Sequence, residues 1–105
     1  MGERTEHVTD GDIGETLDYL ARVISERRGA DPAESYTARL LSESEDTCLG
    51  KVVEEAGEVV MACKDDDHDH IRYEMADLLY HLLVVAERYG VTLEELAGEL
   101  DARRK

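Results

Sequence analysis

The sequence predicts an all-α fold, a small bundle of about four to five helices that is completed by dimerisation. Apolar residues recur at the helical period of 3.6, and no segment shows the period of two that is typical of strands. Gly29 and Gly90 follow two of these segments, as expected of helix ends. Since 105 residues suffice for one small core, we expect a single domain over residues 1–105.

Capping residues delimit the first two helices. Asp10 or Asp12 is suited to cap a first helix, which Gly29 closes. The apolar face of this helix consists of Ile13, Leu17, Leu20, Val23 and Ile24. Ser35 is suited to cap a short second helix. Residues 1–9, which lie before the first helix, are polar and acidic, and we expect them to be disordered.

A third helix is predicted to start near Thr47 and to end near Lys64, after an acidic, serine-rich loop over residues 42–46. Seven residues are expected to form its apolar side: Leu49, Val52, Val53, Ala56, Val59, Val60 and Cys63.

The fourth helix follows a predicted solvated turn over residues 65–69 and has two apolar seams. The first contains Ile71, Met75, Leu78, Leu82 and Val85, and the second contains Leu79, Leu83 and Ala86. A helix that is apolar over so wide an arc needs cover on more than one side, so we expect a homodimer interface there. Thr92 and Glu95 predict a capping box that starts a fifth helix.

The charge balance excludes several classes of partner. With 26 acidic and 12 basic residues the net charge is −14, which repels nucleic acid and anionic membranes. A small anionic substrate remains compatible with this charge if a metal ion and a few basic groups bind it. The chain has neither an apolar run long enough to cross a bilayer nor an N-terminal targeting pattern, so we expect a cytoplasmic protein.

The basic residues are mostly arginines, because lysine occurs only at positions 51, 64 and 105. Few lysines and a large acidic excess are typical of a halophilic protein, whose salt-rich surroundings screen the repulsion between its charges.

Two acidic pairs lie within apolar helical sequence. Glu55 and Glu58, and likewise Glu74 and Asp77, are three residues apart, which places each pair on one helix face. If the two helices pack together, four carboxylates converge, and oxygen ligands of this kind suit Mg²⁺. The alternative interpretation is a network of interhelical salt bridges or a solvated stripe, since such pairs also arise by chance in an acidic chain.

The segments KVVEEAGE, from Lys51 to Glu58, and EMADLLYH, from Glu74 to His81, resemble the phosphoribosyl-ATP pyrophosphohydrolase family of histidine biosynthesis. The segment SYTARL at residues 35–40 resembles a further motif of that family, and the resemblance runs from about residue 13 to the C-terminus. The acidic pattern alone is shared with the wider MazG-type, all-α NTP pyrophosphohydrolases, whereas the other two segments are more specific.

The resemblance implies hydrolysis of 1-(5-phosphoribosyl)-ATP to 1-(5-phosphoribosyl)-AMP and pyrophosphate, the second step of the histidine pathway. It also implies an obligate dimer that depends on Mg²⁺, for which Mn²⁺ is a possible substitute. The residues that match the family's metal-binding positions are Glu55, Glu58, Glu74 and Asp77. Either Glu54 or Glu55 is expected to be the general base that accepts a proton from the attacking water.

Five residues are candidates for binding the substrate: Lys51, Arg39, Tyr36, Lys64 and His81. Lys51 lies one turn before Glu55, and Arg39 lies in the Tyr36 segment, so both are suited to phosphate groups. The alternative is ordinary surface charge for the basic residues and a structural role for His81. We expect His7, His68 and His70 to be exposed and without partners.

Two other functions stay open at this point. One is a house-cleaning NTP pyrophosphohydrolase of the same superfamily, which would share the metal site and differ in its base and ribose contacts. The other is a non-catalytic helical dimer with structural acidic pairs. Many family members are fused to a phosphoribosyl-AMP cyclohydrolase domain, for which 105 residues leave no room, so we expect a separate cyclohydrolase.

Overall fold

The computed structural model of the protein describes residues 8–104, which form five helices and contain no strand. The helices are Ile13–Glu26 (α1), Tyr36–Ser42 (α2), Glu45–Asp65 (α3), His68–Tyr89 (α4) and Leu93–Ala102 (α5). The predicted all-α fold is therefore confirmed. Most of the segment 1–9, predicted to be disordered, lies outside the described residues.

Side-chain caps begin α1, α2 and α5 where the sequence predicts them. Asp12 caps α1 and Ser35 caps α2, each accepting a hydrogen bond from a backbone N–H three residues later. Gly90 ends α4 in the left-handed conformation (φ 71°), which glycine adopts without steric cost. Thr92 and Glu95 form the predicted capping box of α5.

The predicted loop over residues 42–46 was too long. Ser44 caps α3 by accepting a hydrogen bond from the backbone N–H of Thr47, so the helix already begins at Glu45. Glu45 and Asp46 lie in its first turn, where negative charge is favoured by the helix dipole. Acidic residues that look like a solvated loop are in this case the start of a helix.

The predicted turn over residues 65–69 was also too long. Only Asp66 and Asp67 separate α3 from α4, because Asp67 caps α4 by bonding the backbone N–H of His70. Asp66 takes the left-handed conformation (φ 56°), in which a short polar side chain is tolerated. The two long helices consequently form a tight antiparallel hairpin.

Helix α4 is central, because α1, α2 and α3 all pack against it. The buried apolar core consists of Ile24, Leu40, Cys48, Leu83 and Val84. Arg28 donates a hydrogen bond of 2.6 Å to the carbonyl of Glu87, and Arg88 donates one of 2.7 Å to the carbonyl of Glu43. These two arginines tie α1 and the end of α2 to the last turns of α4.

The predicted apolar side of α3 is only partly covered by the described residues of the chain. Val53 and Val60 are 74% and 56% exposed, whereas the buried residues of α3 are Cys48, Glu55 and Ala62. The sequence pattern marked the more apolar face of α3 without specifying what covers it. The more polar face, which carries Glu55, is the one that α4 covers.

Part of α4 is uncovered as well. Met75, Leu79 and Leu82 lie on one face of α4 and are 40 to 52% exposed. Among the described residues, no helix combines the length and the apolarity that a membrane span requires.

Candidate active site

The hairpin of α3 and α4 brings three acidic side chains together. Glu55 is buried on the inner face of α3, seven residues from both Cys48 and Ala62. Glu74 and Asp77 are buried one turn apart on the same face of α4. We refer to Glu55, Glu74 and Asp77 as the acidic cluster.

The acidic cluster is close-packed and buried. One carboxylate oxygen from each residue lies within 4.8 Å of those from the other two, and each residue is 8% exposed. Burial, followed by the charge of Asp77 and a side-chain hydrogen bond with it, raises the pKa of Glu55 to about 7. A hydrogen bond between two carboxyl groups requires one proton. Without a cation, the cluster therefore retains a shared proton near neutral pH.

The residues present fit a hard divalent cation. Among the described residues, His70 is the one basic side chain within ion-pair distance of the cluster, with its Nε2 3.4 Å from Glu74 Oε1. Three buried carboxylates with so little compensating positive charge destabilise the folded protein unless protons or a cation neutralise them. An oxygen-only donor set matches the preference of Mg²⁺ or Mn²⁺, whereas zinc prefers nitrogen and sulfur.

Basic and aromatic groups flank the cluster. The guanidinium carbon of Arg39 lies 5.0 Å from the ring centroid of Tyr36, which is a cation–π contact. Burial raises the pKa of the Tyr36 hydroxyl, and the charges of Lys51 and Arg39 oppose that rise. Asp77 and Glu55 add to it, so Tyr36 lies within electrostatic reach of both the cluster and the two basic side chains. Negative and positive groups thus meet around Tyr36.

This arrangement suits a metal-assisted reaction of a phosphate-bearing molecule, and the known proteins similar to the chain agree with it. A family model described as phosphoribosyl-ATP pyrophosphohydrolase matches residues 17–104. The chain belongs to the phosphoribosyl-ATP pyrophosphohydrolase family. The resemblance found in the sequence motifs is therefore confirmed.

Individual relatives span most of the chain. A phosphoribosyl-ATP pyrophosphatase of Nitrosomonas eutropha is 47% identical over 87 residues, which covers 83% of this chain and 74% of the relative. A phosphoribosyl-ATP pyrophosphatase of Neisseria gonorrhoeae is 44% identical over 88 residues, with 84% and 82% covered. The histidine biosynthesis bifunctional protein HisIE of Nostoc sp. is 41% identical over 109 residues, with 99% of this chain and 50% of that protein covered.

Two acidic residues matched to the family's motif lie outside the acidic cluster. Glu54 is exposed and pairs with Lys51, whose Nζ lies 3.5 Å from Glu54 Oε2. Glu58, one turn after Glu55, is exposed. Since α3 turns by about 100° per residue, burying Glu55 leaves Glu54 on another face and Glu58 at the edge of the site.

Two of the five predicted substrate-binding residues are not placed to face the acidic cluster directly. They are His81 and Lys64. His81 is 2% exposed and is bonded within the chain, through Nδ1 to the carbonyl of Asp77 and through Nε2 to the hydroxyl of Tyr36. Lys64 is exposed in the last turn of α3, nine residues after Glu55 and so about 13 Å further along the axis. Arg39, Lys51 and Tyr36 are the substrate-side candidates near the cluster.

His70 and Tyr73 are site residues that the sequence interpretation missed. His70 was predicted to be exposed and without a partner, which is wrong, because it is half-buried and contacts Glu74. Its spacing of four residues from Glu74 was the available signal. The pKa of Tyr73 is raised by burial and by Asp77, Glu74 and Glu55, so this hydroxyl also lies near the cluster. His68 is exposed as predicted, and His7 lies outside the described residues.

Proposed function

We propose that this protein hydrolyses 1-(5-phosphoribosyl)-ATP to 1-(5-phosphoribosyl)-AMP and pyrophosphate, the second step of histidine biosynthesis. The observation that carries the proposal is the buried acidic cluster with Tyr36, Arg39 and Lys51 beside it. Membership of the pyrophosphohydrolase family supports both the reaction and the substrate. The names of the relatives, including the bifunctional histidine biosynthesis protein, agree with that pathway.

Glu55, Glu74 and Asp77 are proposed to hold Mg²⁺, with Mn²⁺ as a possible substitute. When bound, the ion supplies positive charge to the phosphate oxygens and makes an attacking water more acidic. Glu58 is proposed as a fourth ligand, since it is exposed at the edge of the site and lies one turn from Glu55. The shared proton of the cluster must leave when the cation binds.

The general base must be a carboxylate that the cation does not saturate. Glu54 lies next to Glu55, outside the acidic cluster and paired with Lys51, so we propose that either Glu54 or Glu55 accepts the proton. Glu54→Gln and Glu55→Gln distinguish the two residues. If Glu54 is the base, Glu54→Gln should lose kcat and retain Mg²⁺ affinity; if Glu55 is the base, Glu54→Gln should retain both, and Glu55→Gln should lose both in either case.

Arg39 and Lys51 are proposed to bind the phosphate groups of the substrate. Arg39 presents a planar fork that suits phosphate oxygens, and the Tyr36 ring supports it from one side. Lys51 is half-buried and lies one turn before Glu55. Lys64 is further along α3, so we expect a smaller contribution from it.

Pyrophosphate release distinguishes this proposal from its alternatives. Release from phosphoribosyl-ATP, ATP and dUTP should be measured in molar salt, with and without Mg²⁺, for the natural protein and for Glu55→Gln. We expect Mg²⁺-dependent release from phosphoribosyl-ATP alone, and none from the variant. Preference for ATP or dUTP would identify a house-cleaning enzyme, and no release would favour a non-catalytic helical dimer.

A second copy of the chain is the proposed cover for the exposed apolar surfaces of α3 and α4. Val53 and Val60 on α3 and Met75, Leu79 and Leu82 on α4 expose 40 to 74% of their surface. These surfaces lie on the two helices that carry the acidic cluster, so dimerisation would also stabilise the site.

A further inference from the structure

A short hydrogen-bond chain connects the acidic cluster to helix α2. The Nδ1 atom of His81 lies 2.9 Å from the backbone carbonyl of Asp77, and Nε2 lies 3.3 Å from the Tyr36 hydroxyl. A carbonyl oxygen can only accept, so Nδ1 carries the proton of this bond. In the neutral ring, Nε2 is then an acceptor and the Tyr36 hydroxyl donates to it. The direction of both bonds is thereby fixed.

The ring of Tyr36 is held by this chain and also contacts a cation. His81 meets it edge-on, with ring centroids 6.3 Å apart and an interplanar angle of 82°. The Arg39 guanidinium lies 5.0 Å from the centroid of the same ring. A displacement of the ring would therefore also displace the support of Arg39.

We propose that His81 is a positioning residue that sets Tyr36, and through it Arg39, relative to the metal-binding helix α4. This inference rests on the proposed function, in which Arg39 binds substrate phosphate. His81 is 2% exposed with both ring nitrogens engaged, so it acts through Tyr36 rather than by touching the substrate. Substituting His81 should therefore weaken substrate binding and leave the Mg²⁺ ligands in place.

A parallel hydrogen bond provides a matched control. The Tyr80 hydroxyl lies 2.5 Å from Thr37 Oγ1, so it also joins α4 to α2 through a tyrosine. The Tyr80 ring also contacts the rings of Tyr36 and His81, with centroids 6.3 and 5.1 Å apart, and a Phe ring retains both contacts. Tyr80→Phe therefore removes an equivalent link between the same helices and leaves the proposed chain intact.

The test compares Tyr36→Phe, His81→Asn, the double variant and Tyr80→Phe in pyrophosphate release from phosphoribosyl-ATP. An Asn side-chain N–H can still donate to the Asp77 carbonyl, but it cannot reach the Tyr36 hydroxyl. We expect each single variant of Tyr36 and His81 to raise KM roughly three- to tenfold, the loss of one hydrogen bond. The double variant should be no worse than either, and Tyr80→Phe should leave KM within about twofold.

Three further results decide the inference. Calorimetric Mg²⁺ affinity should be unchanged in Tyr36→Phe, which alters a single hydroxyl and carries the test if His81→Asn does not fold. Additive increases in KM, or an equal increase in Tyr80→Phe, would overturn the positioning role. If the natural protein releases no pyrophosphate, the proposed function fails separately. In that case the ¹⁵N resonance of His81 Nε2 tests the hydrogen bond to the Tyr36 hydroxyl, since it must shift in Tyr36→Phe and stay fixed in Tyr80→Phe.

Discussion

Glu55 is buried beside Asp77 and Glu74, and without a cation this arrangement keeps a proton on the cluster. The pKa of Glu55 is raised from 4.5 to about 7, chiefly by burial and then by Asp77. The folded protein therefore binds more protons than the unfolded chain between these two pH values. The associated stability is fully present below about pH 4.5 and is lost as the pH rises through 7.

The first prediction is that Mg²⁺ and protons compete at the acidic cluster. In EDTA, the melting temperature should fall between pH 5 and pH 8, and added Mg²⁺ should raise it most at pH 8. Calorimetric titration should show that Mg²⁺ binding releases protons, and that the Mg²⁺ affinity rises with pH. Glu55→Gln is the control, since it removes the shifted group and should flatten the pH dependence in EDTA. A stabilisation by Mg²⁺ that is equal at both pH values would contradict the prediction.

The second prediction separates the buried ligand Glu55 from the exposed residue Glu58. Without metal at pH 8, Glu55→Gln should raise the free energy of unfolding by roughly 1 to 3 kcal/mol, because it removes one charge from a buried like-charge cluster. Glu58→Gln should leave it within about 0.5 kcal/mol, as expected of a surface substitution. Both variants should weaken Mg²⁺ binding in calorimetry. Unchanged Mg²⁺ affinity in Glu58→Gln would remove Glu58 from the proposed ligand set.

Local sequence rules predicted part of this site and could not predict the rest. The three-residue spacing placed Glu74 and Asp77 on one face of α4, and that pairing is observed. The rotation of α3 about its axis was not predictable, because it depends on which face meets α4. Consequently, spacing alone did not distinguish the buried Glu55 from the exposed Glu58.

At the scale of elements, capping residues were more informative than composition. Asp12 and Ser35 begin α1 and α2 as predicted, because a cap is a local contact that two or three neighbouring residues specify. The acidic segments around Ser44 and Asp67 look solvated, yet both residues cap helices. Charge density suggested loops there, whereas side-chain bonds to the backbone extended the helices.

The apolar side of α3 shows what a single chain cannot specify. Leu49, Val53 and Val60 lie on a helical stripe that the described residues of the chain leave at least 37% exposed. The hydrophobic pattern correctly marks a surface that favours burial, but it does not say whether the same chain or another copy covers it. The sequence therefore predicted the apolar side of α3 but not what covers it.

The third prediction concerns that stripe. Val53→Asp should convert a dimer to monomers in analytical ultracentrifugation, because a carboxylate would be buried without a partner in the interface. Tyr19→Asp is the matched control, since Tyr19 is 60% exposed on α1 and is not part of the apolar stripe of α3. Tyr19→Asp should sediment with the same mass as the natural protein. A natural protein that sediments as a monomer at micromolar concentration would contradict the proposed second copy.

At the scale of the whole molecule, the net charge of −14 on 105 residues opposes compaction. The fourth prediction is that the unfolding midpoint rises as NaCl increases from dilute to molar. The Debye length shortens from about 10 Å at 0.1 M to about 3 Å at 1 M, so repulsion between separated surface carboxylates is screened progressively.

Sucrose at matched osmolality is the control, because it is excluded from the surface without screening charge. Melting temperatures at fixed Mg²⁺ and protein concentrations should rise with NaCl well beyond the rise in sucrose. A midpoint that stays flat or falls in NaCl would show that the acidic surface is not an adaptation to salt.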